Sequence, residues 1–206
     1  AIVSIMYANN ETGVIFPVEE IGHIVKEKDS ILHTDAVQAV GKIPLNLSKS
    51  AIDLLTLSGH KLHAPKGVGA LFIRKGITFT PFIVGGHQEK NRRGGTENVP
   101  SIIGLGRACE LAKKYMSEEQ ILVKQLRDKV EDEILEKAPD VRVNGHKTKR
   151  LPNTTNLSFE FVEGEAILLL LNERGICASS GSACTSGSLE PSHVLRAMGV
   201  PFTAVH

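Results

Sequence analysis

Cysteine is scarce in this chain: its 206 residues include three, Cys109, Cys177 and Cys184, with no CxxC pair. An odd set without paired spacing argues against a disulfide framework and fits a reducing compartment, so a cytoplasmic protein is expected. Charge of one sign is also missing. With 24 basic and 23 acidic residues the formal net charge is +1, which leaves no large electrostatic footprint for nucleic acid or an anionic membrane. Small molecules and proteins are the expected partners. The longest uninterrupted apolar run covers only residues 166–171, far short of a bilayer span. The opening AIVSIMYANN lacks the basic n-region of a signal peptide. There is no internal repeat, and the one biased stretch is the Ser/Gly-rich ASSGSACTSGSLEPS. His60 and His63 have HxxH spacing, but no carboxylate pattern or further histidine accompanies them, so no metal is expected.

What is present describes a folded domain with a site. A composition 41% hydrophobic and 23% charged is ordinary for a globular protein, and the length allows one substantial core or two modest ones. In the first half, helix and strand signals alternate. Residues 1–7 read as a strand buried from its first residues, as though the chain begins in mid-fold. After NNETG, Pro17 opens a helix with Val18, Ile21, Ile24 and Val25 on one face. Strands are expected at 31–34, 52–57, GVGALFIRK and ITFTPFIV. That order implies a mainly parallel sheet, whose ligands gather beyond the carboxyl ends of the strands. Asn10, Asp35 and residues 58–61 fall at such ends.

From about 99 to 138 the pattern is helical, with an interruption at 115–117 where Ser117, Glu119 and Gln120 resemble a capping box. Short strands at 141–143 and 155–161, a helix over 165–173 and a strand at 176–179 then read as a smaller α+β domain. The expected domains are therefore 1–112 and 113–206.

The candidate chemistry lies in two segments. Cys184 sits in the Ser/Gly-rich run, which has few bulky apolar side chains, so its thiol is expected on a solvent-reachable loop. Cys109 and Cys177 are expected to be small buried residues. Lys61, in SGHKLHAPKGVGAL, follows an apolar strand and precedes glycines that let backbone approach a ligand. Read alone it could equally be a solvated surface charge, and Lys66 is a rival amine. Ser58 and His60 could bind an anion there. Asp35 ends a strand, where it could cap the following turn or meet a ligand; Gln38 would share its face if a helical turn begins there. A strand-end lysine and a loop thiol suggest covalent chemistry.

Together ANNETG, HTDAVQAVGK, SGHKLHAPKGVGAL, RRGGTENVP and SSGSACTSGSLEPSHVLRAMG closely resemble the cysteine desulfurases of the nitrogen-fixation (NifS) type, members of the class-V aminotransferases. The resemblance runs the length of the chain. It implies the α/β, pyridoxal-phosphate-dependent transferase fold of type I, with residues 1–112 in the large cofactor domain and 113–206 in the small domain carrying the cysteine loop. It implies that Lys61 holds the cofactor's aldehyde, Asp35 pairs with the pyridine nitrogen and Gln38 meets the phenolic oxygen. Ser58 and His60 would hold the phosphate, Thr96 would reach the phosphate of the partner subunit in a homodimer, and Asn10 would lie near cofactor and substrate carboxylate. Cys184 would accept sulfur from L-cysteine, leaving L-alanine and a persulfide for an iron-sulfur scaffold or other acceptor protein. The resemblance further implies a fragment lacking N-terminal and extreme C-terminal parts, expected on its own to bind the cofactor weakly or not at all and to show no turnover. A related lyase or aminotransferase would share Lys61 and Asp35 without needing Cys184. A non-catalytic fragment presenting a thiol to an acceptor is the reading from outside the enzymes.

Overall fold

In the computed structural model, residues 1–178, 192–201 and 204 are described. The chain divides into two compact units, residues 1–8 with 16–120 and residues 9–15 with 121–206.

The first unit is built on a four-stranded sheet in the order β1-β2-β3-β4, with β1 at Ile2–Met6, β2 at Ile31–Asp35, β3 at Leu54–Ser58 and β4 at Gly69–Ile73. β1, β2 and β3 run parallel, with Met6 opposite Asp35 and Asp35 opposite Thr56. α1, Val18–Glu27, supplies the crossover between β1 and β2. Its Val18 and Val25 are buried against Leu32, Ala36, Ala39, Ile52 and Leu55. Ile24 is 60% exposed, so the apolar stripe is narrower than its spacing implies. Ile2 is likewise 60% exposed. Among the described residues β1 pairs only with β2, and its alternating exposure replaces the continuous burial expected from its sequence.

β4 joins β3 antiparallel, from Ser58 opposite Gly69 to Leu54 opposite Ile73. The connection between them is too short for a parallel crossover, which takes a dozen residues or more. ITFTPFIV forms no strand: residues 77–84 are irregular and Phe82 is 99% exposed. Pro81 has no N–H to give a ladder.

α2, Gln88–Asn91, is a short turn that includes left-handed residues. α3 is one unbroken helix, Val99–Lys137, so the expected interruption at 115–117 does not occur. Good helix formers carry the chain through that stretch without glycine or proline. Ser117 is an exposed mid-helix residue rather than a cap. In the first unit, Leu105 and Ala108 of α3 are buried with Leu62, and Val40, Leu57, Ala64, Val68 and Ala112 pack around them. Cys109 lies on the exposed side of the helix instead of in this core.

The second unit pairs β5, Val141–Val143, with β6, Leu157–Phe159, antiparallel, and adds α4, Gly164–Glu173, and α5, His193–Ala197. Its interior is polar in part. Arg150 makes two bonds of 2.7 Å to Glu131, which also accepts from Thr155, while Arg127 donates to the Leu151 carbonyl at 2.8 Å. Residues 176–178 form no strand and Cys177 is exposed, correcting the expected buried strand. After α4 the chain turns through Gly175, whose positive φ of 73° ends the regular structure.

Candidate active site

The parallel pairing of β2 with β3 brings two sequence segments to the same end of the sheet. Asp35 is the last residue of β2, and Ser58 the last of β3. Beyond Asp35 the ladder carries on for one more bond, from Ala36 N–H to the Thr56 carbonyl at 3.0 Å. Asp35 is exposed, and its Oδ1 accepts the Val37 N–H at 2.9 Å, so the carboxylate folds the turn that follows it. Bonds from Val40 N–H to the Ala36 carbonyl and from Ile43 N–H to the Ala39 carbonyl give residues 36–43 helical character without a regular helix. This backbone puts Gln38 one turn ahead of Lys42, whose Nζ donates to Gln38 Oε1 at 3.3 Å.

After Ser58, residues Gly59–Leu62 make a 3₁₀ turn that ends at His63 in the left-handed region, φ 63°. Gly59 is required here because a Cβ would lie 2.9 Å from Val68 Cγ1 and 3.0 Å from the Val68 carbonyl oxygen. The turn leaves His60 and Lys61 exposed while Leu62 is buried. Ser58 Oγ and His60 Nδ1 are hydrogen-bonded at 2.7 Å. A hydroxyl and an imidazole so joined, at a strand end, form a donor set suited to an anion.

The two segments are also pressed together. Gly41 has φ 75°, and a Cβ there would sit 2.5 Å from Leu62 Cδ2. Lys42 is therefore close to the turn that carries Lys61. Burial pushes the Lys42 ammonium below the ordinary lysine range, and the positive charge of Lys61 pushes it further the same way. Lys42 was not among the residues singled out from sequence; its spacing of four from Gln38 in a helical turn is the signal that could have found it.

The other expected site residues stand as follows. Thr96 is exposed in the segment leading into α3. Lys66 is exposed between the 3₁₀ turn and β4. Asn10 belongs to the second unit, exposed at a turn that its neighbour Asn9 organises by accepting the N–H groups of Glu11 and Thr12, each at 2.9 Å. Cys184 lies outside the described residues. Among the described residues, no group of three or more His, Cys, Asp or Glu is placed to hold a metal ion.

The family model for aminotransferase class-V matches residues 1–203. A cysteine desulfurase of Trichormus azollae is 64% identical over 206 residues, all of this chain and 52% of that protein. Cysteine desulfurase NifS of Azotobacter vinelandii is 60% identical over the same 206 residues, 51% of its length. The solved structure of a NifS-like protein from Rickettsia africae superposes with a TM-score of 0.88 at 39% identity, covering 99% of this chain and 54% of that one. The chain thus spans about half the length of the curated relatives it matches. Its α/β architecture with a mostly parallel sheet is that of the fold-type-I enzymes. A match over nearly every residue, and a sheet that delivers Asp35 and the lysine turn to one end, make this chain a member of the class-V aminotransferase family.

Proposed function

We propose that the protein to which this chain belongs is a pyridoxal-phosphate-dependent cysteine desulfurase. It takes sulfur from L-cysteine, releases L-alanine and carries the sulfur as a persulfide on Cys184 to an iron-sulfur scaffold or other acceptor protein. It works in the cytoplasm as a homodimer. One observation carries this reading: an acid, Asp35, and an amine, Lys61, stand at the carboxyl ends of two adjacent parallel strands, with the Ser58–His60 pair between them in sequence.

The donor set fits the cofactor group by group. Lys61 supplies an amine for its aldehyde, and Asp35 a carboxylate for the proton of its pyridine nitrogen. The Gln38 amide suits the phenolic oxygen, and Ser58 with His60 suits the phosphate. Thr96 serves the phosphate of the partner subunit, and Asn10 the substrate carboxylate side. When bound, the cofactor supplies an electron sink for charge developing at the substrate α-carbon. Lys61 then acts as the base that takes the proton from that carbon and returns one. Asp35 would pair with the pyridine nitrogen of the bound group and hold a proton there. Cys184, as a thiolate, attacks the substrate sulfur. The Cβ–sulfur bond breaks with its electron pair left toward Cβ, a sulfur–sulfur bond forms on Cys184, and Cβ takes up a proton so that alanine is released.

The test is an assay of the intact protein with L-cysteine. Lys61→Ala is expected to lower alanine production by about a hundred- to ten-thousandfold. Cys184→Ala should abolish the protein persulfide while cofactor binding persists. Borohydride reduction followed by peptide mapping should fix the cofactor on Lys61, and label on Lys66 would overturn the assignment. Transamination that survives in Cys184→Ala without any persulfide in the wild type would favour an aminotransferase instead.

A further inference from the structure

Lys42 is a half-buried cation whose side chain bonds to an amide, that of Gln38, at 3.3 Å. An ammonium can only donate, so the atom that Gln38 turns toward Lys42 has to be its oxygen. This settles the one ambiguity of a glutamine side chain, the choice between its two ends. The NH2 of Gln38 is thereby directed away from Lys42.

Lys42 is itself held in place. Its N–H donates to the Ala39 carbonyl at 3.0 Å, and its carbonyl accepts Gln120 Nε2 of α3 at 2.5 Å. The preceding Gly41 allows the turn to press against Leu62 and Ala112. Keeping a cation at this half-buried place works against both its desolvation and the like charge of Lys61. A residue serving only to fill the space would do so at lower cost without the charge.

We propose that Lys42 is a positioning residue that fixes the orientation of the Gln38 amide, so that Gln38 presents N–H rather than C=O to the oxygen of an aromatic cofactor. The proposal rests on the reading of Gln38 given above. It assigns Lys42 no contact with substrate or cofactor. Its action passes through one bond, and it should disappear when the other end of that bond is removed.

The experiment is a double-mutant cycle on the intact apoprotein, titrated with pyridoxal phosphate and read as dissociation constant and absorption spectrum. Lys42→Met is expected to weaken binding by about five- to tenfold, the scale of one ordinary net hydrogen bond, and to displace the absorbance maximum. Lys42→Arg should restore both. In a Gln38→Ala background, Lys42→Met should leave the absorbance maximum in place and retain only the smaller effect on binding that comes from removing a charge near Lys61. If Lys42→Met does not fold, Lys42→Leu carries the same comparison. A loss of equal size with and without Gln38 overturns the inference, as does a Lys42→Met protein identical to the wild type. Failure of the wild type to bind would bring down the reading of the site as well; binding by the wild type with an unaltered Lys42→Met protein would bring down this inference alone.

Discussion

At the scale of single residues, Gly41 decides whether the two site segments can meet, and Gly59 whether the lysine turn can close against Val68 and Ala64. Gly59 and Gly41 both occupy places where a Cβ would collide with a neighbour, and Gly41 also has a left-handed backbone. Gly41→Ala is expected to cost about 1–2 kcal/mol from the backbone alone, with a further loss as Leu62 is displaced; urea unfolding of the intact protein measures it. The same variant should loosen cofactor binding, because it moves Lys42 relative to the Lys61 turn. Asp53 is the other residue whose surroundings dictate a large effect. It is 1% exposed, accepts the Leu32 N–H at 2.9 Å and contacts Lys26 Nζ at 2.5 Å. Asp53→Ala leaves a buried N–H without its acceptor and should destabilise by about 2–3 kcal/mol, seen as a lower urea midpoint with an unchanged slope.

At the scale of elements, the sheet and the long helix follow different logics. β2 and β3 could be read from apolar runs bounded by turn residues because burial and period coincide there, whereas β1 forms the expected strand with less burial than its apolar run implies. The ITFTPFIV run has the same composition but contains Pro81, and no strand forms over it. In α3 the capping-box pattern at Ser117, Glu119 and Gln120 is overridden by continuous helix, and Gln120 spends its amide on the Lys42 carbonyl instead. Ser117→Ala therefore removes no cap. Its expected effect on stability is within about 0.5 kcal/mol of zero, where a true cap would have cost about 1 kcal/mol. Thermal melting of the two proteins distinguishes these outcomes.

At the scale of the whole molecule, the two units are held by different chemistry. The first has a largely apolar interior. In the second, the hydrogen bonds of Arg150 outweigh the effect of burial on Glu131, and with help from Thr155 they hold its carboxyl below the usual glutamate range. A carboxyl whose folded-state pKa is depressed contributes its full stability above its unfolded-state pKa and loses it as pH falls through the folded value. Acid should thus weaken the second unit, and Glu131→Gln should remove this part of the pH dependence while lowering stability at neutral pH by about 3 kcal/mol. Hydrogen exchange followed from pH 7 downward in wild type and variant reads both effects. Among the described residues, no helix is long and apolar enough to cross a membrane.

The alternation of strands and helix, the segments that carry Asp35, Gln38, Ser58, His60 and Lys61, and the family itself were legible in the amino-acid order, because hydrophobic period and motif spacing are local properties. The burial of the cysteines was not: Cys109 and Cys177 have apolar neighbours in sequence, yet a helix and a coil each have an outer side, and only packing says which side a residue takes. Nor did the sequence single out Lys42. Its four-residue spacing from Gln38 allows a bond, but the press of Gly41 against Leu62 and the reach of Gln120 from α3 depend on contacts between distant segments. Chain order determined which groups are available for chemistry. Tertiary structure decided which of them face one another, since facing depends on how elements stack in space.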